Sequence, residues 1–464
     1  MGKISQRSRR EFIKKLGGTS ALLASGSTLV ADPVSNTRYI PEMEKKVAPN
    51  DKVRIACIGL GIQGFSDTNT ALKVPGVEMV AAADCYDGRL KRAKEVYGNH
   101  VFTTKNYQEI LDRNDVDAVI IATPDHWHEQ MSIDALNKGK AVYCEKPMVK
   151  HIDEGHNMIK HQQKTKKILQ VGSQYVSNLI YRQAKQLYES GEIGELNFAE
   201  AYFDRQSAMG AWQYSIPPDA SKETIAWERF LGNAPKVPFD PIRFFRWRNY
   251  QDYGTGVSGD LFVHMFSGLH QILNSQGPTK IMSTGGLRYW KDGRDVEDIV
   301  MGLYDYPKTD QHPAFNLSLR VNMADGSGGG SKIRLVGSDG EIVLGGDSLT
   351  VRRRRMKEAP GYTVNTFDEA TQKAFLEEYH KKYTEKFDML DEPEELQYKV
   401  PNGYPGMHYD HFYSFFATIR EGKPNVEDVV FGLRAAGPAL ATNMSLREER
   451  LVKWDPIKMR TLTA

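Results

Sequence analysis

Cysteine is scarce in this chain of 464 residues: only Cys57, Cys85 and Cys144 occur. An odd count without regular spacing excludes a disulfide framework. Each thiol lies in or just after an apolar strand pattern, so the three are expected to be free. No CxxC and no HExxH pattern is found, which excludes the usual zinc sites and leaves no metal expected. A surplus of one charge is lacking too. The 61 Lys and Arg face 59 Asp and Glu, a net charge of +2, and such a balance indicates neither nucleic acid nor a membrane surface as partner. The densest basic run, "RRRR" at 352–355, closes a strand-like stretch and reads as an exposed strand end or edge.

Long apolar runs are also absent. The most apolar part of the N-terminus is broken by Gly17, Gly18, Ser20, Ser25 and Gly26, too short and too polar to span a bilayer. It follows a basic stretch containing "SRREFIK" (8–14), and the layout is that of a signal peptide. The motif resembles the twin-arginine export signal, which a receptor reads on folded proteins. Residues 1–31 are therefore expected to be an export address, 32–50 a linker, and the mature protein periplasmic or otherwise exported. A protein exported folded can carry a cytosolic cofactor with it and needs no disulfides.

The remaining length calls for two domains. Residues 51–175 read as the first. "VRIACI" is an apolar run suited to a parallel strand covered on both faces. Gly59, Gly61 and Gly64 follow as GxGxxG, a helix is expected over 62–73, and Val77–Ala83 reads as the next strand, ended by Asp84. Gly59 allows the tight turn, Gly61 a close approach of backbone to pyrophosphate, and Gly64 close packing of helix on strand. The helix start, with Ile62 and Gln63, offers free N–H groups to phosphate. Asp84 is placed to accept from ribose hydroxyls and to repel a 2′-phosphate, which favours NAD over NADP; Arg89 is the nearest cation that could reverse this. Strand and helix patterns keep alternating, so a doubly wound parallel sheet is expected, with ligands beyond the carboxyl ends of its strands. Thr123, Pro124, His128, Glu145, Lys146 and Gln174 all fall near such ends. "HWH" (126–128) lacks carboxylates at ligand spacing and is not read as a metal site.

Residues 176–464 change texture. Short strand-like segments separated by turns predict an open, mostly antiparallel sheet, with a hairpin turn at Asp339-Gly340. Two late helical segments are expected to return to the body. Within this half, "GTGVSGDLFVH" places Asp260 and His264 at i and i+4 of an expected helix, so that the aspartate would orient the imidazole. Just before it, "FFRWRNYQDY" (244–253) offers aromatics for stacking on a sugar, and Arg246 or Arg248 for its hydroxyls; ordinary packing is the alternative reading.

Together, "GLGIQG", "AAADCYD", "ATPDHWH", "CEKP" and "GDLFVH" resemble the Gfo/Idh/MocA oxidoreductases over roughly residues 50–460. The resemblance implies a Rossmann domain followed by an α/β domain whose sheet covers the active site and mediates homo-oligomers. Lys146 matches the lysine of the family's EKP motif, and Asp260 and His264 match its DxxxH pattern. Two positions depart: Tyr175 stands near the place of a frequent arginine, and Phe262 replaces a glycine. The expected activity is NAD-dependent hydride transfer at a sugar, polyol or glycoside hydroxyl carbon. His264 would take the hydroxyl proton, and Lys146 would bond the same oxygen. Exported relatives that hold their nucleotide tightly, and a branch of NAD-dependent glycosidases acting by transient oxidation and elimination, keep a second reading open.

Overall fold

The computed structural model describes residues 36–41, 52–354, 363–382 and 395–462. The basic leader and its export motif lie outside them. Part of the expected linker is instead strand β1 (Thr37–Tyr39), which pairs in parallel with a C-terminal strand and buries Ile40. Its short T-R-Y run carries no alternation that marks it as a strand; the exposed edge it covers supplies the order.

Strands β2 (Val53–Ile58), β3 (Val77–Ala83), β4 (Phe102–Thr104), β5 (Ala118–Ile121), β6 (Ala141–Glu145) and β7 (Leu169–Gly172) form one sheet in the order β4-β3-β2-β5-β6-β7. Every pairing in it is parallel. Strands β5, β6 and β7 are buried throughout, as strands must be when helices cover both faces. The order reverses between β2 and β5, and the crevice over a parallel sheet opens at such a reversal. The glycine turn after β2 and the "ATPD" turn after β5 flank this point.

The second sheet contains β8 (Leu196–Asp204), β9 (Lys280–Gly286), β10 (Ile299–Tyr306), β11 (Phe315–Asn322), β12 (Gly330–Gly337), β13 (Gly340–Gly345), β14 (Ser348–Arg353), β15 (Glu395–Lys399), β16 (Val452–Asp455) and β17 (Arg460–Thr461). With β1 it reaches 11 strands. Only β11–β8 and β1–β15 pair in parallel, so the sheet is mostly antiparallel, as the short alternating segments predict. Ser338 and Asp339 turn β12 into β13. The described part of the basic run, residues 352–354, closes a strand as expected, but not an edge strand. Arg352 and Arg353 belong to β14, flanked by β13 and β15. Arg352 joins a cross-strand ion ladder with Glu341 and Glu395 on the open face, while Arg353 pairs inward with Glu192.

One face of this sheet is covered by helices Leu179–Glu189, Val263–Leu273 and Val429–Arg447. The other is open. Along β10, Val300, Tyr304 and Tyr306 are buried, while Met301 and Leu303 are about half exposed. Two late helices return to the first domain. Met407–Glu421 sends Phe412, Phe415 and Phe416 into the core behind β2 and β6, with Phe412 stacked on Tyr143 at 4.3 Å. Val429–Arg447 lays Leu433 against Gly155 of helix Ile152–Thr165. The two domains are thereby packed as one body around the crevice.

Candidate active site

At the head of the crevice, Gly59 has φ +90, and a Cβ there would lie 2.6 Å from the Ala122 carbonyl oxygen. A Cβ on Gly64 would lie 1.9 Å from the Gly59 carbonyl oxygen. Only glycine fits either place. Gly61 differs: the nearest atom to its missing Cβ is the Arg89 Nη2, 3.8 Å away, so its open side faces the crevice. Helix Ile62–Ala71 starts at once, without a side-chain cap, leaving its first N–H groups free for an anion. The Asp84 carboxylate accepts from the Leu60 N–H at 2.7 Å and the Tyr86 N–H at 2.9 Å. Arg89 approaches it at 3.4 Å and lies over Phe244 and Phe245.

These groups border a cavity of about 630 Å³, within the range of sites that enclose drug-sized ligands, ~300–1,000 Å³. Gly59, Gly61, Ile62, Gln63, Asp84, Thr123 and Pro124 all line it, as expected from the sequence. Phe244, Phe245 and Trp247 form its far wall. An uncapped helix start, a glycine facing the void and an acid at the end of the second strand fit a dinucleotide.

Lys146 directly follows β6 and points toward the second domain. Its Nζ donates to the Asp260 backbone oxygen at 3.0 Å and to Asp260 Oδ1 at 3.1 Å. Arg248, which lines the cavity, reaches the same oxygen at 3.5 Å. Both acid and lysine are nearly buried, at 7% and 11% side-chain exposure. Burial alone would push the Asp260 carboxyl up; Lys146 and Arg248 outweigh it and hold the group well below the usual carboxylate range. Asp260 is therefore charged at neutral pH. His264 is moved the other way. Burial, then the Lys146 charge, hold its imidazole well below the ordinary value, so the ring is neutral. Its centroid lies 5.0 Å from that of Tyr175, and Phe203 stacks at 6.2 Å. His264 Nδ1 is buried and has no hydrogen-bond partner.

Four expectations need correction. Asp260 does not orient His264. Residues 258–262 form a π-helical turn before the α-helix Val263–Leu273, and its i→i+5 pattern breaks the i, i+4 alignment that an α-helix would give. The aspartate instead holds the lysine. His128 is not on the rim: it is 1% exposed, its Nδ1 is 2.7 Å from the Pro147 oxygen and its Nε2 is 3.0 Å from the Thr123 oxygen. It braces the two turns whose outer residues face the cavity. Glu145 and Gln174 are buried beneath the floor, where Gln174 Nε2 donates to Glu145 Oε1 at 3.0 Å. At the end of a strand, alternate side chains point to opposite faces, so proximity in sequence to Lys146 does not bring Glu145 to the void. In the 244–253 segment, Arg246 donates to the Tyr214 oxygen and to Gln213, and its aromatics wall the dinucleotide-sized cavity or pack together.

Sequence reasoning missed Asp125. Its Oδ2 accepts from the Thr255 N–H at 2.9 Å and the Thr255 hydroxyl at 2.8 Å. The first domain thus grips the loop that delivers Asp260. An acid immediately after the "ATP" strand end is the available signal. No cluster of His, Cys, Asp or Glu suited to a metal occurs among the described residues.

Known proteins agree with this architecture. Two models of the Gfo/Idh/MocA oxidoreductase family match: the NAD-binding Rossmann fold over residues 53–173 and the C-terminal alpha/beta domain over 226–453. A glycosyl hydrolase family 109 protein 1 of Shewanella sp. (strain MR-4) is 30% identical over 212 residues, 42% of this chain and 45% of that protein. An alpha-N-acetylgalactosaminidase of Shewanella oneidensis is 29% identical over 243 residues, 48% of this chain and 50% of that protein. The chain thus spans about half the length of the curated relatives it matches. Among solved structures, the WlbA dehydrogenase from Bordetella pertussis, in complex with NADH and UDP-GlcNAcA, superposes with TM-score 0.62 at 14% identity, over 87% of this chain and 99% of that one. A levoglucosan dehydrogenase bound to NADH and levoglucosan gives TM-score 0.59 at 17% identity over the same shares. At these identities the likeness is one of fold.

Burial, and next the charge of Asp260, push the Asp125 carboxyl up to about 7. In the unfolded chain it titrates near ~3.9. Its contribution to stability is complete below that value and is lost as pH rises through about 7, because the unfolded chain releases the proton first. Asn accepts the same two Thr255 bonds without titrating. The fall in unfolding free energy from about pH 5 to about pH 8 is expected to be shallower in Asp125→Asn, by on the order of a few kcal/mol. Urea unfolding at each pH measures it, and parallel profiles for the two proteins refute it.

Proposed function

Because the chain belongs to the Gfo/Idh/MocA oxidoreductase family and carries its NAD-binding Rossmann domain, we propose that it moves a hydride between a sugar or glycoside hydroxyl carbon and NAD. The observation that carries the reading is a buried Lys146–Asp260 ion pair beside a neutral His264, linked to the dinucleotide-sized cavity through Arg248, which lines that cavity and reaches Asp260 at 3.5 Å. Gly59, Gly61, Ile62, Gln63, Asp84, Thr123 and Pro124 would hold the cofactor, with Gly64 letting the helix pack beneath it. Bound NAD supplies the hydride acceptor. His264 Nδ1, free of protein partners, accepts the hydroxyl proton. Lys146, held by its two hydrogen bonds to Asp260, donates a third hydrogen bond to the same oxygen and stabilises its developing negative charge. Asp260, itself approached by Arg248, fixes the ammonium, so little reorganisation accompanies the reaction.

The Shewanella relatives, whose names denote glycoside cleavage, favour a second reading in which the same oxidation is transient and an aglycone leaves. Both need Lys146. In Lys146→Ala, kcat is expected to fall by ~10²–10⁴ while NADH fluorescence reports retained binding. A panel of sugars and nitrophenyl glycosides decides between the readings. Lasting nicotinamide reduction supports net oxidation, and aglycone release without it supports cleavage. Unchanged turnover in both Lys146→Ala and His264→Ala removes the assignment of roles.

The open face of the large sheet is, we propose, a homo-oligomer interface. Leu303 and Met282 are register partners on it, at 59% and 51% exposure, beside Met301 at 47%. Apolar side chains grouped on an unpartnered sheet face mark contact surfaces. Light scattering is expected to show Leu303→Glu at a smaller mass than the parent; equal masses overturn the proposal. The leader motif supports an exported enzyme. With Arg9→Lys and Arg10→Lys together, cell fractionation should find the protein retained inside the cytoplasm, whereas undiminished export excludes the twin-arginine route.

A further inference from the structure

A second cavity, of about 290 Å³, is lined by neither the glycine turn nor the ion pair. Tyr175 belongs to both places. Its ring lies 5.0 Å from the His264 ring, and it lines this cavity. Met265, the residue after His264, lines it too. Tyr181, itself 5.1 Å from Tyr175, adds a second aromatic wall, and Tyr404 a third. The polar lining comes from three separate segments: Lys332 on β12, Asp347 in the turn between β13 and β14, and His408 at the start of the Met407–Glu421 helix. Lys332 and Asp347 are exposed, and among the described residues neither side chain makes a hydrogen bond or ion pair.

The mixture selects a ligand class. Aromatic walls suit the C–H face of a flat, partly apolar ring, as tyrosine pairs an apolar body with a polar tip. One cation, one anion and one imidazole suit hydroxyls, which donate and accept. A phosphate or carboxylate would confront Asp347, and an amine would confront Lys332. The volume sits at the small end of ligand sites, ~300–1,000 Å³, too small for a second dinucleotide. We infer that this cavity is a subsite for a neutral second sugar ring, so that the substrate is a disaccharide or longer glycoside with its reacting ring at His264 and its neighbour beyond Tyr175. The inference rests on the hydride-transfer reading for the identity of the first ring, but not for the binding it predicts.

The test uses full-length, NAD-loaded protein and matched probes: for each hexose, its methyl glycoside and a disaccharide with the same non-reducing ring. Calorimetry is expected to give the disaccharide the lower Kd. In Lys332→Ala and in Asp347→Asn the ratio of disaccharide Kd to methyl glycoside Kd should rise about tenfold, the worth of one hydrogen bond to a charged group. Both positions are at the surface, so folding is retained; Tyr404→Ala is a third variant, checked by its thermal melt. Disaccharide preference that is lost in these variants supports the subsite even if no probe is oxidised or cleaved, an outcome that would count against the hydride reading alone. Turnover of methyl glycosides with no disaccharide preference, or equal weakening of both probes, overturns the subsite.

Discussion

The ion pair between Lys146 and Asp260 is the constraint on which the site depends. The lysine directly follows a strand of the first domain, and the aspartate sits in a π-helical turn of the second. Two nearly buried charges are tolerable only when each satisfies the other. Lys146 Nζ meets both the side chain and the backbone oxygen of residue 260, so the contact fixes position as well as charge. Everything nearby serves to keep that geometry. Asp125 holds Thr255, Asn443 Nδ2 donates to the Thr255 oxygen from the opposite side, and Lys150 Nζ donates to the Asp252 oxygen at 2.8 Å. The loop preceding the π turn is thereby tied to the parallel sheet and to helix Val429–Arg447.

Electrostatics then separates the roles of neighbouring groups. Asp260 is kept ionised by two cations; Asp125 and Glu145, also buried but with less compensation, are both raised to about 7. His264 is neutral because its burial and the Lys146 charge outweigh the pull of Asp260 toward the protonated form. A regular helix would set Asp260 and His264 on one face and strengthen that pull. The π turn gives the carboxylate to the lysine, leaving the ring free to accept a proton. One wide turn thus decides which residue carries charge and which stays basic.

Much of this was legible in the chain. The glycine spacing, the acid that ends β3 and the alternating apolar runs locate the crevice because each answers to a local rule of backbone geometry. The grouping of Lys146, Asp260 and His264 was also readable, through the resemblance of their motifs. Their partnerships were not. Periodicity assigns faces only to regular elements, so the π turn escaped it. His128 and Glu145 illustrate a second limit. Both lie at strand ends, but whether such a side chain faces the void or the floor depends on a register fixed by neighbouring strands. The edge strand at 37–39 illustrates a third, because its order comes from the strand it pairs with and not from its own residues.

The two proposed activities share their first step. Both begin by removing a proton from a hydroxyl, which needs a neutral base and a fixed cation on the same oxygen. In the proposed mechanism His264 and Lys146 provide these whichever reaction follows. What differs is the fate of the carbon skeleton afterwards: an oxidised sugar that departs, or one that loses its neighbouring ring. Either outcome with a glycoside requires that the neighbouring ring be held, which the proposed subsite would do. On the proposed subsite, the walls on the far side of Tyr175 select that ring, and Lys332, Asp347 and Tyr404, none of which touches the ion pair, are the residues that would set its preference.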